Sequence, residues 1–200
     1  MNRWVARTAG SAGLALAAGL LALTAACGEA GDGTDATAVR DPEISGEPLP
    51  DFTPTAPDSA LGLPAPEVRG TDFDGRSVAI VNDGRMKVVL FLAHWCSHCQ
   101  DEVPEVQAWI DGGGKPDTVD LYGVATAIEE EGSNYPPDAW LERERWTSPV
   151  LVDTNDTVLR AFGLTGFPTW VFINADGTVA LRIGGAIGAE QLTALFRGLR

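Results

Sequence analysis

Two cysteines, Cys96 and Cys99, enclose Ser97 and His98 and follow Trp95. Thiols at this spacing either form half of a tetrahedral metal site or cycle between a dithiol and a local disulfide. Zinc needs two further ligands. Besides Cys27, the chain offers only His94 and His98, both inside the motif and badly placed to close a tetrahedron with the two sulfurs. No metal is therefore expected. A disulfide closed over four residues is too local to clamp a fold, so the pair changes redox state instead. It carries this chemistry without a cofactor.

Exchange chemistry needs two unequal thiols, and the flanking residues supply the inequality. Lys87 to Ala93 is an apolar run rich in strand formers, the mark of a central strand covered on both faces, and it ends directly at the cysteines. A helix is predicted from about Cys96 to Ile110, with Val103, Val106 and Ile110 at helical spacing and Gly112-Gly113-Gly114 as its stop. At that helix start Cys96 faces free backbone N–H groups and the positive end of the dipole, which stabilise a thiolate. Cys99, one turn on, can reach back and is expected to be more buried. Cys96 thus reads as the attacking sulfur and Cys99 as the resolving one.

The elements that must position this pair follow in order. Pro64 to Val68 leads into a hairpin with its turn at Asp74-Gly75, returning through Val78 to Val81. Asp120 to Thr126 reads as a second buried strand. A helix opens at Asn134-Tyr135-Pro136-Pro137 and runs to about Trp146, and a short strand covers Val150 to Val152. A helix spans Thr154 to Phe162, and Thr169 to Asn174 pairs with Val179 to Ile183 across Ala175-Asp176-Gly177-Thr178. Ala189 to Leu199 closes the chain. The class is α/β: a central mixed sheet with helices on both faces and an N-terminal β-hairpin addition. Trp109, Trp140, Trp146 and Trp170 are assigned to the core, His94 to the surface, and Glu129-Glu130-Glu131 to a solvated loop.

The N-terminus carries a different message. Arg3 and Arg7 precede an Ala/Leu/Gly run from Ala9 to Ala26, so residues 1–26 read as an export signal rather than a membrane span. Leu23-Thr24-Ala25-Ala26-Cys27 resembles the lipobox of bacterial lipoproteins, with Thr24 departing from the usual leucine. Cys27 is then a lipidation site, and the alternative is an ordinary cleaved signal. Either reading puts the mature protein outside the cytoplasm; the first anchors it to the outer face of the cell membrane. Residues 27–62 are rich in Gly, Asp, Thr, Pro and Glu and read as a flexible tether, leaving 63–200 as the folded domain. The 200-residue chain has 14 basic and 28 acidic residues. Losing Arg3 and Arg7 leaves 12 against 28, a charge of −16, which argues against nucleic acid as a partner.

Val89 to Cys99 resembles the thioredoxin signature, and the wider pattern is similar to the membrane-anchored thioredoxin-like reductases of the TlpA/ResA type. Trp95, Cys96, Cys99, Glu102 and Pro104 fit W-C-x-x-C-x-x-E-x-P, and Gly166 to Gly177 fits the family's G-x-P-T segment. The likeness covers about residues 63 to 200. It implies a thioredoxin-like fold and a protein-disulfide oxidoreductase. Cys96 is then the nucleophile, Cys99 its partner, and Pro168 a cis-proline that leaves the Phe167 backbone free to pair with substrate. Glu102 becomes the base for Cys99, against the alternative of a solvated charge between Asp101 and Glu105. Leu90 stands where ordinary thioredoxins carry a buried aspartate. Trp95 and Ser97 belong to the motif, and His98 departs from the proline common in reducing members. A histidine there resembles strong oxidants, tuning the pair unless it is simply an exposed loop residue.

The expected partners are exported protein thiols and disulfides and a membrane thiol electron carrier, with apocytochrome c maturation as the family-implied setting and the protein a monomer. Oxidative disulfide formation is the alternative direction. A thiol peroxidase is disfavoured because Ala93 stands where a Thr or Ser is usual. A copper chaperone is disfavoured because the C-x-x-x-C spacing and the distant histidine of such proteins are missing.

Overall fold

A computed structural model describes residues 38–198; the export segment, Cys27 and the chain up to residue 37 lie outside the described residues. Among those described, no helix is long and apolar enough to cross a membrane.

The elements are β1 (Glu43–Ser45), β2 (Glu67–Thr71), β3 (Ser77–Ile80), β4 (Met86–Leu92), α1 (Ser97–Asp111) and β5 (Val119–Ala125). These are followed by α2 (Pro137–Arg143), β6 (Val150–Val152), α3 (Thr157–Ala161), β7 (Thr169–Ile173), β8 (Val179–Gly184) and α4 (Ala189–Gly198). Five strands form the main sheet in the order β6-β5-β4-β7-β8, and β1-β2-β3 form a smaller antiparallel sheet. The central strand β4 pairs in parallel with β5 and antiparallel with β7. The sheet is therefore mixed, as the sequence indicates, and the fold is thioredoxin-like.

Strand alternation divides β4 between two cores. Val88, Leu90 and Leu92 pack with Val103 and Val106 of α1 and with Trp170 and Phe172 of β7. Val89 and Phe91 point to the other face, with Val158, Phe162 and Val171. That double burial is why the strand carries an unbroken apolar run, and why its end is a rigid platform for the cysteines.

The boundary expected at residue 63 is corrected. From residue 38 the chain is already part of this fold: β1 pairs with β2, with Ile44 opposite Val68. Leu49 and Ala60 are buried. The amides of Leu49 and Phe52 donate to the carbonyls of Ala161 and Gly163 at 2.8 and 2.7 Å. Composition misleads here because Ile44, Leu49 and Phe52 build no core of their own; they are spaced along an extended strap and fill the flank of an existing one.

Two helices are shorter than predicted. α2 begins at Pro137, where the Pro-Pro pair places its first turn, but stops at Arg143, two residues before the left-handed Arg145; Tyr135–Pro136 ahead of it is a cis peptide. Asp156, the N-cap residue of α3, also has a left-handed backbone, so the helix does not extend back to Thr154; its carboxylate accepts the Ala127 amide. The fully buried Asp153 accepts the Thr157, Val158 and Leu159 amides and thereby caps α3.

Candidate active site

The cysteine pair sits where β4 meets α1. Cys96 is the N-cap residue of α1, half-buried, with Ser97 and His98 exposed in the first turn. Cys99 is fully buried, and both cysteines are free thiols. Burial pushes the Cys99 thiol well above its ordinary value, with smaller upward contributions from Cys96 and Glu102. One sulfur is thus reachable and the other is held as a neutral thiol until something removes its proton. Leu90 is buried in the strand before the motif, so no carboxylate comes from there.

Glu102 lies one helical turn beyond Cys99 and is only 1 % exposed, which removes the alternative of a solvated charge. Two donors converge on one of its oxygens: Trp170 Nε1–H at 3.0 Å and the Ile187 amide at 2.7 Å, both on Oε1. Oε2 receives neither. Burial raises the Glu102 carboxyl to about 7, against the lowering effect of those two bonds. A carboxyl that titrates near neutrality beside a buried thiol can accept and return a proton at working pH.

The opposing wall comes from the loop before β7. Phe167–Pro168 is a cis peptide, and the Cys96 thiol points to the Phe167 carbonyl oxygen at 3.6 Å. The Trp95 ring meets the Phe167 ring edge-on at 5.9 Å, and its Nε1–H donates to the Ala127 carbonyl at 2.7 Å. Cys96, Cys99, Glu102, Trp95, Phe167 and Pro168 are therefore brought together. Among the described residues no group of three or more His, Cys, Asp or Glu side chains is placed to hold a metal ion.

His94 is corrected from surface to interior: it is 2 % exposed. Its Nε2 accepts the Glu129 amide at 3.1 Å, so Nδ1 carries the proton and donates to the Ser133 carbonyl at 2.7 Å. Gln100 Nε2 adds bonds to the His94 carbonyl and the Ser133 hydroxyl. The ring packs on Tyr135 at 5.9 Å. Together these fasten the loop of residues 129–135 to the cysteine motif. Sequence reasoning missed this because the histidine's partners are main-chain groups, which leave no residue signature. The partners of Glu102 share that difficulty in part: Trp170 was assigned to the core for its bulk, and the Ile187 donor is an amide.

Comparison with known proteins adds an independent line. A family model described as the AhpC/TSA family matches residues 46–182. The sporulation thiol-disulfide oxidoreductase A of Bacillus subtilis (strain 168) is 25 % identical over 120 residues, covering 60 % of this chain and 72 % of that protein. The thiol-disulfide oxidoreductase ResA of Geobacillus thermodenitrificans is 28 % identical over 134 residues, covering 66 % and 74 %. Among solved structures, StoA from Bacillus subtilis superposes with a TM-score of 0.54 at 22 % identity, covering 72 % of this chain and 99 % of that one. A secreted Mycobacterium tuberculosis disulfide oxidoreductase homologous to E. coli DsbE gives 0.56 at 19 %, covering 66 % and 95 %. At such identities the superpositions support the fold alone.

Proposed function

Since this chain belongs to the AhpC/TSA family and is a thiol–disulfide oxidoreductase of thioredoxin-like fold, we propose that it reduces disulfides of exported proteins outside the cytoplasm. The observation that carries this reading is the inequality of the two thiols: Cys96 half-exposed beside Phe167 and cis-Pro168, Cys99 fully buried next to Glu102.

The Cys96 thiolate attacks one sulfur of the client disulfide. A Cys96–client disulfide forms and the other client sulfur leaves as a thiolate, taking up a proton. Glu102 then removes the Cys99 proton through Oε2, directly or through a water, and the Cys99 sulfur attacks Cys96. The Cys96–Cys99 disulfide forms and the second client sulfur departs. Two electrons have passed from protein to client, so a thiol donor must restore the pair; a membrane thiol carrier fits that need. The chemistry needs no cofactor. The Phe167 backbone beside cis-Pro168 offers an edge along which an extended client segment can lie. Lipidation of Cys27 after removal of residues 1–26 would hold the protein, as a monomer, on the outer membrane face, with apocytochrome c a fitting client.

His98, exposed two residues after Cys96 in the first turn of α1, favours a second reading in which the pair runs as an oxidant. The reduction potential separates the two: a value near about −270 mV supports the reductive reading, and one near about −120 mV overturns it in favour of disulfide formation.

A further inference from the structure

The strap of residues 49–58 passes the cis-Pro168 loop with Phe52 and Pro54, and Arg182 fastens it on either side of them, at Pro50 and Asp58. Arg182 of the edge strand β8 is 3 % exposed, and its guanidinium grips the strap by several bonds. It donates through Nε and Nη2 to both carboxylate oxygens of Asp58, and through Nη1 to the Pro50 carbonyl at 2.9 Å and the Phe162 carbonyl at 2.8 Å. It also lies over the Phe52 ring, 5.0 Å from its centre. Gly184 makes the approach possible: a Cβ there would meet Pro54 Cγ at 2.9 Å.

This fastening places Phe52 and Pro54 as one wall of a cleft of about 160 Å³ whose other wall is the segment from Thr165 to Thr169, including cis-Pro168. The cleft shares Phe167 and cis-Pro168 with the reaction site, and the Phe167 carbonyl oxygen is 3.6 Å from Cys96 Sγ. Its lining holds no ionisable side chain, although the chain as a whole carries a charge of −14. The Thr169 hydroxyl is already committed to the Gly166 carbonyl at 2.7 Å.

We propose that the cleft between Phe52, Pro54 and the cis-Pro168 loop is a specificity subsite that takes one apolar side chain of the client segment bearing the reacting cysteine. The inference rests on the disulfide-exchange reading above. A client strand lying along residues 166–168 sends alternate side chains to opposite faces, so a residue near its cysteine is directed at this cleft. An apolar group gains by leaving water there. A charged one loses hydration and meets no partner.

The test is single-turnover exchange between the reduced full chain and short peptides, each carrying one cysteine as a mixed disulfide with glutathione. One of the two positions on either side of the cysteine holds leucine or aspartate in turn. The readout is the ratio of the leucine rate to the aspartate rate, because a general loss of activity moves both alike. At one position the wild type is expected to favour leucine roughly tenfold. Phe52→Ala opens the cleft, and Gly166→Trp crowds it from a position where a Cβ meets nothing within 4 Å. Both should bring the ratio below about twofold. Equal rates in the wild type, or a preference that survives both variants, would overturn the subsite and leave the exchange reading intact. Failure of every peptide to exchange would instead remove the reading on which the subsite rests.

Discussion

Replacing Glu102 by glutamine removes one charge and keeps the shape around it, since the amide oxygen can still accept from Trp170 Nε1 and the Ile187 amide. The buried carboxyl titrates at about 7 in the folded protein, against an ordinary value of 4.5. The folded state therefore binds this proton more tightly than the unfolded chain does. Below about pH 4 both states are protonated and the group costs nothing. As pH rises through 4.5 the unfolded chain ionises first, and stability drains until the folded carboxyl also ionises near 7. Linkage puts the loss at about 1 kcal/mol at pH 5 and about 3 kcal/mol at pH 8. Glu102→Gln lacks this loss. Urea unfolding should find the variant more stable than wild type at pH 8, with an advantage about 2 kcal/mol larger than at pH 5. The same variant should slow release of client from the Cys96 mixed disulfide, because Cys99 has lost its base. An advantage that does not change with pH, or a variant less stable at pH 8, would refute the placing of an ionisable, neutral-range carboxyl at this site.

Two further outcomes follow from groups other than the cysteines and Glu102. Asp58→Asn leaves the buried Arg182 without its anion and should cost about 3 kcal/mol, read as a fall in melting temperature of roughly 6–12 °C. The Arg182 guanidinium holds the Asp58 carboxyl below its usual range. The pair's contribution is therefore present above about pH 4 and fades below it, so the gap between wild type and variant should narrow on acidification. Gly132→Ala puts a Cβ 2.9 Å from His94 Cε1 and 3.0 Å from Trp95 Cβ. Amide hydrogen exchange should then speed up at Glu129, whose amide donates to His94, and global stability should fall by about 1–3 kcal/mol.

The legible parts of this molecule are those written in side-chain pattern. The apolar run of β4, the stop at Gly112-Gly113-Gly114 and the Asp176-Gly177 turn each signal an element, because burial period and turn chemistry act locally. The cis bond at Pro168 came from resemblance rather than from spacing. The strap of residues 38–62 was illegible because three scattered apolar residues suffice to dock an extended chain on a finished core. The buried His94 was illegible because its partners are the Glu129 amide and the Ser133 carbonyl. The inward turn of Glu102 was ambiguous for a related reason. Asp101 and Glu105 beside it are equally acidic, and only the donors from Trp170 and Ile187 distinguish it.

The unequal roles of the two cysteines are tested most directly by trapping the mixed disulfide. Cys99→Ser and Cys96→Ser variants would each be reduced, mixed with a disulfide-bonded client, quenched with acid and analysed by intact mass. With Cys99 gone, the client should accumulate as an adduct on Cys96, because nothing resolves it. With Cys96 gone, the fully buried Cys99 should form no adduct and insulin reduction should be lost. A Cys96→Ser protein that still reduces insulin at the wild-type rate, or that carries the client on Cys99, would contradict the account.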